Sequence, residues 1–160
     1  MFTVKNILRI TDFDFEDGSD LRDKYLLILF QSDEDAIIAP LTTSVDKVPD
    51  HFKTKRCIQD TDSRIHCYYI PKGIQIGESG FFFKKDTFIH IHPNSFATRK
   101  ISYLTEKYLI KNLIDAKDVL HEQEYCDLIY CMYKSSHVPR GIKSSLGEII
   151  EEIESRKTIC

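Results

Sequence analysis

Residues 17–30, DGSDLRDKYLLILF, decide the fold of this 160-residue chain. The first four residues, DGSD, are typical of a turn, and residues 25–30 are a continuous apolar run of strand length. A second apolar run, AIIAPLTT at residues 36–43, follows the acidic turn QSDED. Uninterrupted apolar runs of this length are typical of buried strands. We therefore predict two neighbouring buried strands joined by a short turn.

Polar side chains lie at the ends of these two predicted strands. Arg22 and Lys24 enter the first strand, and Thr42 and Thr43 end the second. These are either ordinary strand ends or groups that two strands deliver to one site. In the second case they suit phosphodiester chemistry, because a cation stabilises negative charge on phosphorus and a hydroxyl can hydrogen-bond a phosphate oxygen.

The chain as a whole predicts an α+β fold with its strands first and its helices last. About five or six short strands, separated by turn sequences, fill the first hundred residues, which is typical of a small barrel or sandwich. The pattern changes to helical spacing near Ser102. We therefore divide the chain into a β unit, residues 1–103, and a C-terminal helical extension, residues 104–160.

Three amphipathic stretches form the predicted extension. Apolar residues recur at helical spacing over residues 102–120 and again over 124–134. A third helix is predicted over residues 144–157, with Ser144 or Ser145 as its N-cap. The apolar residues of the whole extension must be buried, either against the β unit or at a contact with another chain. These residues are Tyr125, Ile129, Met132, Ile149, Ile150 and Ile153.

The composition and its charge pattern indicate a globular protein with a basic middle. Hydrophobic residues make up 42% and charged residues 29% of the chain, which excludes a disordered segment. Residues 47–100 hold 10 Lys and Arg against 5 Asp and Glu, although the whole chain has a net charge of −3. This stretch, with Lys53, Lys55 and Arg56, either contacts phosphates or consists of solvated loops.

The N-terminus predicts a cytoplasmic protein, and this compartment determines what we expect of the cysteines. Residues 1–9, MFTVKNILR, have no basic region or apolar core of a signal peptide, and no run is long enough to span a bilayer. Five cysteines, at positions 57, 67, 126, 131 and 160, lack close CxxC pairs. In that compartment we expect free thiols, most of them buried.

Motifs for common cofactor and metal chemistries are missing from the sequence. There is no GxxxxGK[ST], HExxH, GxSxG or EF-hand pattern. His90 and His92 would share one face of a strand, with His66 or Cys67 as further ligands, but this is a weak metal signal. We therefore expect no cofactor and no bound metal.

The order of these motifs resembles that of the PemK/MazF-like toxins, also called the Kid family, of which this chain would be a divergent member. That family has a D-F-x-x-G-S-like loop, a basic strand R-P-x-L-V-L and a second strand closing in I-T. The matching residues here are Asp14, Phe15, Asp17, Gly18, Ser19, Leu27, Ile28, Leu29, Leu41 and Thr42. The resemblance covers about residues 3–115. It implies a small SH3-like β-barrel of about five to seven strands, often as a homodimer.

The resemblance also implies a metal-independent endoribonuclease that cleaves single-stranded RNA and is held inactive by an antitoxin protein. Alignment places Lys24 on the family's catalytic Arg, Tyr25 on the following Pro, and Thr42 on the strand-end Thr. Lysine keeps the charge but lacks the planar fork of arginine, and Arg22 is the second candidate for that fork. The substrate's 2′-hydroxyl would attack phosphorus, with Lys24 and Arg22 stabilising the charge and Thr42 positioning the phosphate.

Further candidate roles and one alternative function complete these expectations. Gly18 and Ser19 would lie in a loop over the RNA, and Thr43, Lys53, Lys55 and Arg56 are candidates for RNA contacts. His66, His90 or His92 could transfer a proton, because the ordinary pKa of histidine lies near neutral pH. Because Lys24-Tyr25 replaces Arg-Pro, the alternative is a non-catalytic barrel that binds a protein or a nucleic acid.

Overall fold

The computed structural model describes residues 1–43 and 48–156 of the chain. The described part contains eight strands: β1 (Asn6–Phe13), β2 (Arg22–Gln31), β3 (Asp35–Leu41), β4 (Cys57–Asp60), β5 (Ile65–Ile70), β6 (Thr87–His90), β7 (Ala97–Lys100) and β8 (Ile114–Val119). They form two antiparallel sheets, one in the order β7-β3-β2-β1-β8 and the other in the order β4-β5-β6. The α+β class predicted from the sequence is confirmed.

Strand β2 lies at the centre of the larger sheet, and both of its faces are buried. Leu27 and Leu29 belong to the main apolar cluster, which the C-terminal helices complete. Leu26 and Ile28 face the opposite way, into a second cluster. Because successive side chains of a strand point to opposite faces, a strand covered on both sides must be apolar at every position. This explains the uninterrupted apolar run at residues 25–30.

The helices lie mostly in the C-terminal part of the chain, apart from a 3₁₀ turn at Asp50–Phe52, and α1 precedes strand β8. In the described residues these are α1 (Ile101–Leu104), which continues as a π-helical turn (Thr105–Leu109), α2 (Glu122–Lys134) and α3 (Arg140–Ser155). Tyr125, Ile129 and Ile150 are buried in the same cluster as Leu27 and Leu29 of β2. The apolar faces of α2 and α3 therefore pack on the sheets of their own chain. None of these helices combines the length and apolar character needed to cross a lipid bilayer.

The predicted helix over residues 102–120 is wrong in its second half. The helical part ends by Leu109, and Ile114–Val119 forms strand β8. Strand β8 pairs with β1, with Ile114 opposite Ile10 and Ala116 opposite Leu8. Without β8, the outer hydrogen-bonding groups of β1 would lack partners, and this requirement overrides the local helical pattern. The division into a β unit ending at residue 103 and an extension beginning at residue 104 stays a prediction. Strand β8, although it lies in the predicted extension, belongs to the larger sheet.

Helix α3 begins earlier than its predicted N-cap. It starts at Arg140, so Ser144 and Ser145 lie inside it. The residue before it is Pro139, which has a φ of −56°. Pro49 precedes the 3₁₀ turn in the same way, with a φ of −59°. Proline lacks an N–H and has a φ fixed near the helical value, so it fits the start of a helix, where no backbone donor is needed.

The expectation of free thiols is also wrong for part of the chain. Cys57 of β4 and Cys131 of α2 form a disulfide, with 5.6 Å between their Cα atoms and 74 residues between them in sequence. Cys126 is disulfide-bonded as well. Cys67 is buried in the chain, whereas Cys160 lies outside the described residues. Spacing along the sequence does not predict such pairs, because the packing of α2 against β4 brings these residues together.

Two isolated bridges connect the sheets and their loops. Thr42, just beyond β3, pairs with Phe88 of β6, and Gly77 pairs with Leu120. In the part of the chain that the structure describes, the two sheets are not closed into a barrel. The Thr42–Phe88 bridge nevertheless fixes the end of β3 against the smaller sheet.

Candidate functional site

Strands β2 and β3 bring Lys24 and Thr42 together. Tyr25 pairs with Leu41 and Leu26 with Pro40, so the antiparallel register places Lys24 opposite Thr42. Lys24 Nζ lies 3.5 Å from Thr42 Oγ1. The backbone of Thr42 is fixed in turn, because its N–H donates to the Phe88 carbonyl and its carbonyl accepts from the Phe88 N–H. The structure thus brings together two of the residues that were predicted from the sequence to form one site.

The Phe15 ring lies close to both cations of this site. The Arg22 Cζ lies 5.1 Å and the Lys24 Nζ 5.9 Å from the centroid of its ring. Both distances are within the range of cation–π attraction. Arg22 is exposed, whereas Lys24 is half-buried. Burial, and then the nearby Arg22 charge, lower the pKa of the Lys24 ammonium. The sequence matched Phe15 to a loop motif but did not show that its ring would lie against the cations.

The loop between β1 and β2 is fastened to β7 and to the segment that follows it. Lys107 Nζ donates to Asp14 Oδ2 at 2.8 Å, and this hydrogen bond lowers the pKa of the Asp14 carboxyl. The Tyr103 hydroxyl donates to Glu16 at 2.6 Å, and Arg99 pairs with Glu16 at 3.2 Å. These contacts fix Asp14 and Glu16, the two residues on either side of Phe15 in the sequence. Sequence patterns did not predict them, since their partners are about 90 residues away.

Gly18 and Ser19 shape the tip of the same loop. Gly18 has φ +82°, a left-handed conformation that glycine adopts without strain. The Asp17 carboxylate accepts a hydrogen bond from the Ser19 N–H at 2.9 Å. Gly18, Ser19 and Arg22 line one open depression on the surface. The DGS part of the motif therefore positions backbone groups beside Arg22.

A separate groove adjoins the site on the Phe15 side. It has a volume of about 340 Å³, and Phe13, Phe15, Pro40, Phe96 and Arg99 contribute to its lining. Strand β7 pairs with β3 only as far as Ile38, so the backbone of Pro40 has no strand on that side. Proline lacks an N–H and fits such an unpaired position. The groove combines aromatic and apolar surface with one guanidinium.

The basic residues of the middle segment have other contacts. Lys53 Nζ lies 3.1 Å from Asp50 and 3.6 Å from Asp86, and its side chain is only 11% exposed. Arg56 pairs with Glu124 of α2 at 2.6 Å. Lys55 is exposed, and Thr43 is half-buried directly after Thr42. The structure therefore does not gather Lys53 and Arg56 into one open basic surface, and RNA contacts by these four residues stay predictions.

Replacing Glu124 by glutamine is expected to lower the free energy of unfolding by about 1–3 kcal/mol. Glu124 Oε1 accepts hydrogen bonds from Arg56 at 2.6 Å and from the Tyr68 hydroxyl at 2.9 Å. The amide keeps an acceptor for Tyr68 but leaves the Arg56 charge without its partner. Urea unfolding measures the change.

Glu122→Gln on the same helix is the matched control. Glu122 pairs with Lys5 at 2.6 Å but is 45% exposed, and surface pairs of this kind contribute about 0–1 kcal/mol. Equal losses in the two variants would contradict the structural role assigned to the Arg56–Glu124 pair.

The three histidines predicted as proton-transfer candidates lie elsewhere. His66, His90 and His92 line one cavity together with His137, and neither Lys24 nor Thr42 contributes to its lining. Burial, and then the neighbouring His137, lower the pKa of His66. Within residues 1–43 and 48–156, no group of three or more His, Cys, Asp or Glu side chains could hold a metal ion. These histidines form a second feature of the molecule, separate from the Lys24–Thr42 pair.

No protein-family model matches the chain, and no curated protein is significantly similar to it. The resemblance to the PemK/MazF-like toxins therefore depends on the motif residues alone and remains a prediction.

Proposed function

We propose that the protein is an endoribonuclease that cleaves single-stranded RNA at the Lys24–Thr42 pair. The observation that carries this proposal is the 3.5 Å approach of the Lys24 ammonium to the Thr42 hydroxyl, with Arg22 beside them over the Phe15 ring. Two cations near one aromatic ring, with a hydroxyl beside one of them, are suited to an anionic phosphorane. The aromatic groove next to them offers surface on which an unpaired base can stack.

The proposed reaction uses the 2′-hydroxyl of the RNA as the nucleophile. The 2′-oxygen forms a bond to phosphorus and the bond to the 5′-oxygen breaks, which gives a 2′,3′-cyclic phosphate and a 5′-hydroxyl end. The 2′-hydroxyl loses its proton to water, and the leaving 5′-oxygen takes a proton from the Lys24 ammonium. A lowered pKa makes that ammonium a better proton donor. Arg22 and Thr42 bind the phosphate oxygens.

The proposal includes the fold and the partners that the motif resemblance implies. The Thr42–Phe88 and Gly77–Leu120 bridges support an SH3-like barrel in which the two sheets are adjoining parts of one wall. A toxin of this type would act in the cytoplasm as a homodimer with a cognate antitoxin. Co-purification of proteins expressed with the chain tests the antitoxin, and light scattering tests the dimer.

Incubation with a long single-stranded RNA in the presence of EDTA tests the reaction. Discrete fragments with 2′,3′-cyclic phosphate and 5′-hydroxyl ends are the expected products, and EDTA should not prevent their formation. Tight RNA binding without fragments over a wide range of protein concentration would contradict the nuclease. That outcome would favour the non-catalytic binding module, for which the Lys24-Tyr25 departure from Arg-Pro is the supporting observation.

Cleavage is expected to slow as the pH rises through the Lys24 pKa, which lies below its usual 10.5. The sign follows from the mechanism, because only the charged ammonium stabilises the phosphorane and donates a proton. A pH–rate profile should therefore bend downward on its alkaline side before pH 10.5. Lys24→Arg, which stays charged over this range, should lose that bend. An unchanged alkaline limb in the arginine variant would assign the titration to another group.

A further inference from the structure

A large cavity at the ends of β5 and β6 has no part in the proposed RNA cleavage. Its volume is about 670 Å³, which is within the range of small-molecule sites. Four imidazoles line it, from His66, His90, His92 and His137. They come from β5, from β6 and the residues after it, and from the linker between α2 and α3.

Cationic and hydrogen-bonding groups dominate the polar part of this cavity. Arg64 contributes a guanidinium and Thr61 a hydroxyl, beside the four imidazoles. The described lining residues include no carboxylate, although the nearby Asp60 charge acts on His66 and raises its pKa against the larger effects of burial and His137. A planar guanidinium with neighbouring imidazole and hydroxyl groups suits the oxygen atoms of a phosphate.

The remaining walls suit a flat ring. Val48 and Ile91 are buried apolar residues of the lining, and Ile65 is partly buried beside them. The rings of His66 and His137 are packed against each other with centroids 4.0 Å apart. Apolar side chains and imidazole faces are surfaces on which nucleobases stack.

One buried nitrogen in the cavity wall lacks a partner. Among the residues that the structure describes, nothing hydrogen-bonds to the buried Nδ1 of His66. Buried polar atoms are almost always satisfied by protein, water or a bound group. The unsatisfied nitrogen belongs to one of the residues that line this cavity.

We propose that this cavity binds a nucleotide through its phosphomonoester, with Arg64 on the phosphate and the base between the apolar wall and the imidazoles. The site is independent of RNA cleavage at Lys24, because neither Lys24 nor Thr42 lines the cavity. The phosphomonoester could belong to a free nucleotide or to the 5′ end of an RNA, and both present the same chemistry.

NMR titration of the imidazole resonances tests the proposal directly. AMP is expected to shift the signals of His66 and His137 and to bind about tenfold more tightly than adenosine, which lacks the phosphate. A 5′-phosphorylated RNA trinucleotide is compared with its 5′-hydroxyl form. Binding of the phosphorylated trinucleotide with the affinity of AMP identifies an RNA end as the source, whereas binding of AMP alone identifies a free nucleotide.

Arg64→Asn is the variant of choice, because Arg64 has φ +55° and asparagine adopts that conformation more easily than most residues. It should weaken AMP binding about tenfold. Arg140→Asn, at an exposed arginine outside the cavity, should leave AMP binding unchanged. Equal binding of AMP and adenosine, absent shifts at both histidines, or equal losses in the two arginine variants would overturn the proposal. RNA cleavage is measured separately, so failure of either proposal leaves the other testable.

Discussion

Replacing Lys24 by methionine is expected to slow RNA cleavage by about 10²–10³-fold while RNA binding is largely retained. Methionine preserves an unbranched stem beside Phe15 and Thr42 but removes the ammonium that would stabilise the phosphorane and donate a proton. Stability should not fall, because burial already disfavours the charged form of Lys24, as its lowered pKa shows. The measurement is the single-turnover rate of cleavage of a defined RNA.

Two further variants show whether the effect belongs to the site. Thr42→Val, which keeps the shape and removes the hydroxyl, should slow cleavage by about tenfold. Lys111→Met removes an exposed lysine elsewhere and should leave the rate unchanged. Cleavage by the Lys24 variant at the rate of the unmodified protein would contradict the assignment. Survival of activity in both site variants would exclude the whole Lys24–Thr42 site.

Removing the Cys57–Cys131 disulfide is expected to lower the free energy of unfolding by about 4 kcal/mol. The bond joins residues that are 74 positions apart, so it excludes many conformations of the unfolded chain. In the folded state it fastens α2 to β4 close to the Arg56–Glu124 pair. The Cys57→Ser/Cys131→Ser double variant avoids leaving a single thiol that could exchange with other cysteines.

Urea unfolding with and without reductant isolates the contribution of the covalent bond. In oxidising buffer the double variant should unfold at a lower urea concentration than the unmodified protein. In excess reductant both proteins lack the bond, so the difference should nearly vanish. A difference that persists in reductant would assign the effect to packing of the two sulfur atoms. No difference in oxidising buffer would show that the bond does not stabilise the fold.

The sequence predicted the β2–β3 pair well because the signal there is local. An apolar run, an acidic turn and a second apolar run leave few alternatives. The same hairpin determines the register, so the proximity of Lys24 and Thr42 was also predictable. The position of Phe15 and the anchoring of its loop were not predictable, because the hydrogen-bond partners of Asp14 and Glu16 lie beyond β7.

The predictions that failed involve contacts between distant parts of the chain. Residues 114–119 have no strong local preference, and the open edge of β1 decides that they form a strand. The pairing of Cys57 with Cys131 follows from the packing of α2 on the smaller sheet. From the sequence, His66 was grouped with His90 and His92 but His137 was not, since His137 joins the cavity through the linker between α2 and α3.

The pairing of β1 with β8 sets the order in which this chain can fold. Asn6 lies opposite Val119, so β1 receives its outer partner only after more than a hundred further residues have been synthesised. Contacts of such long range slow folding, because the entropy of closing the loop is lost before any strand pairing compensates for that loss. Until then β1 is an open strand edge that can pair with other chains. During synthesis at the ribosome, we therefore expect β1 to need protection by a chaperone.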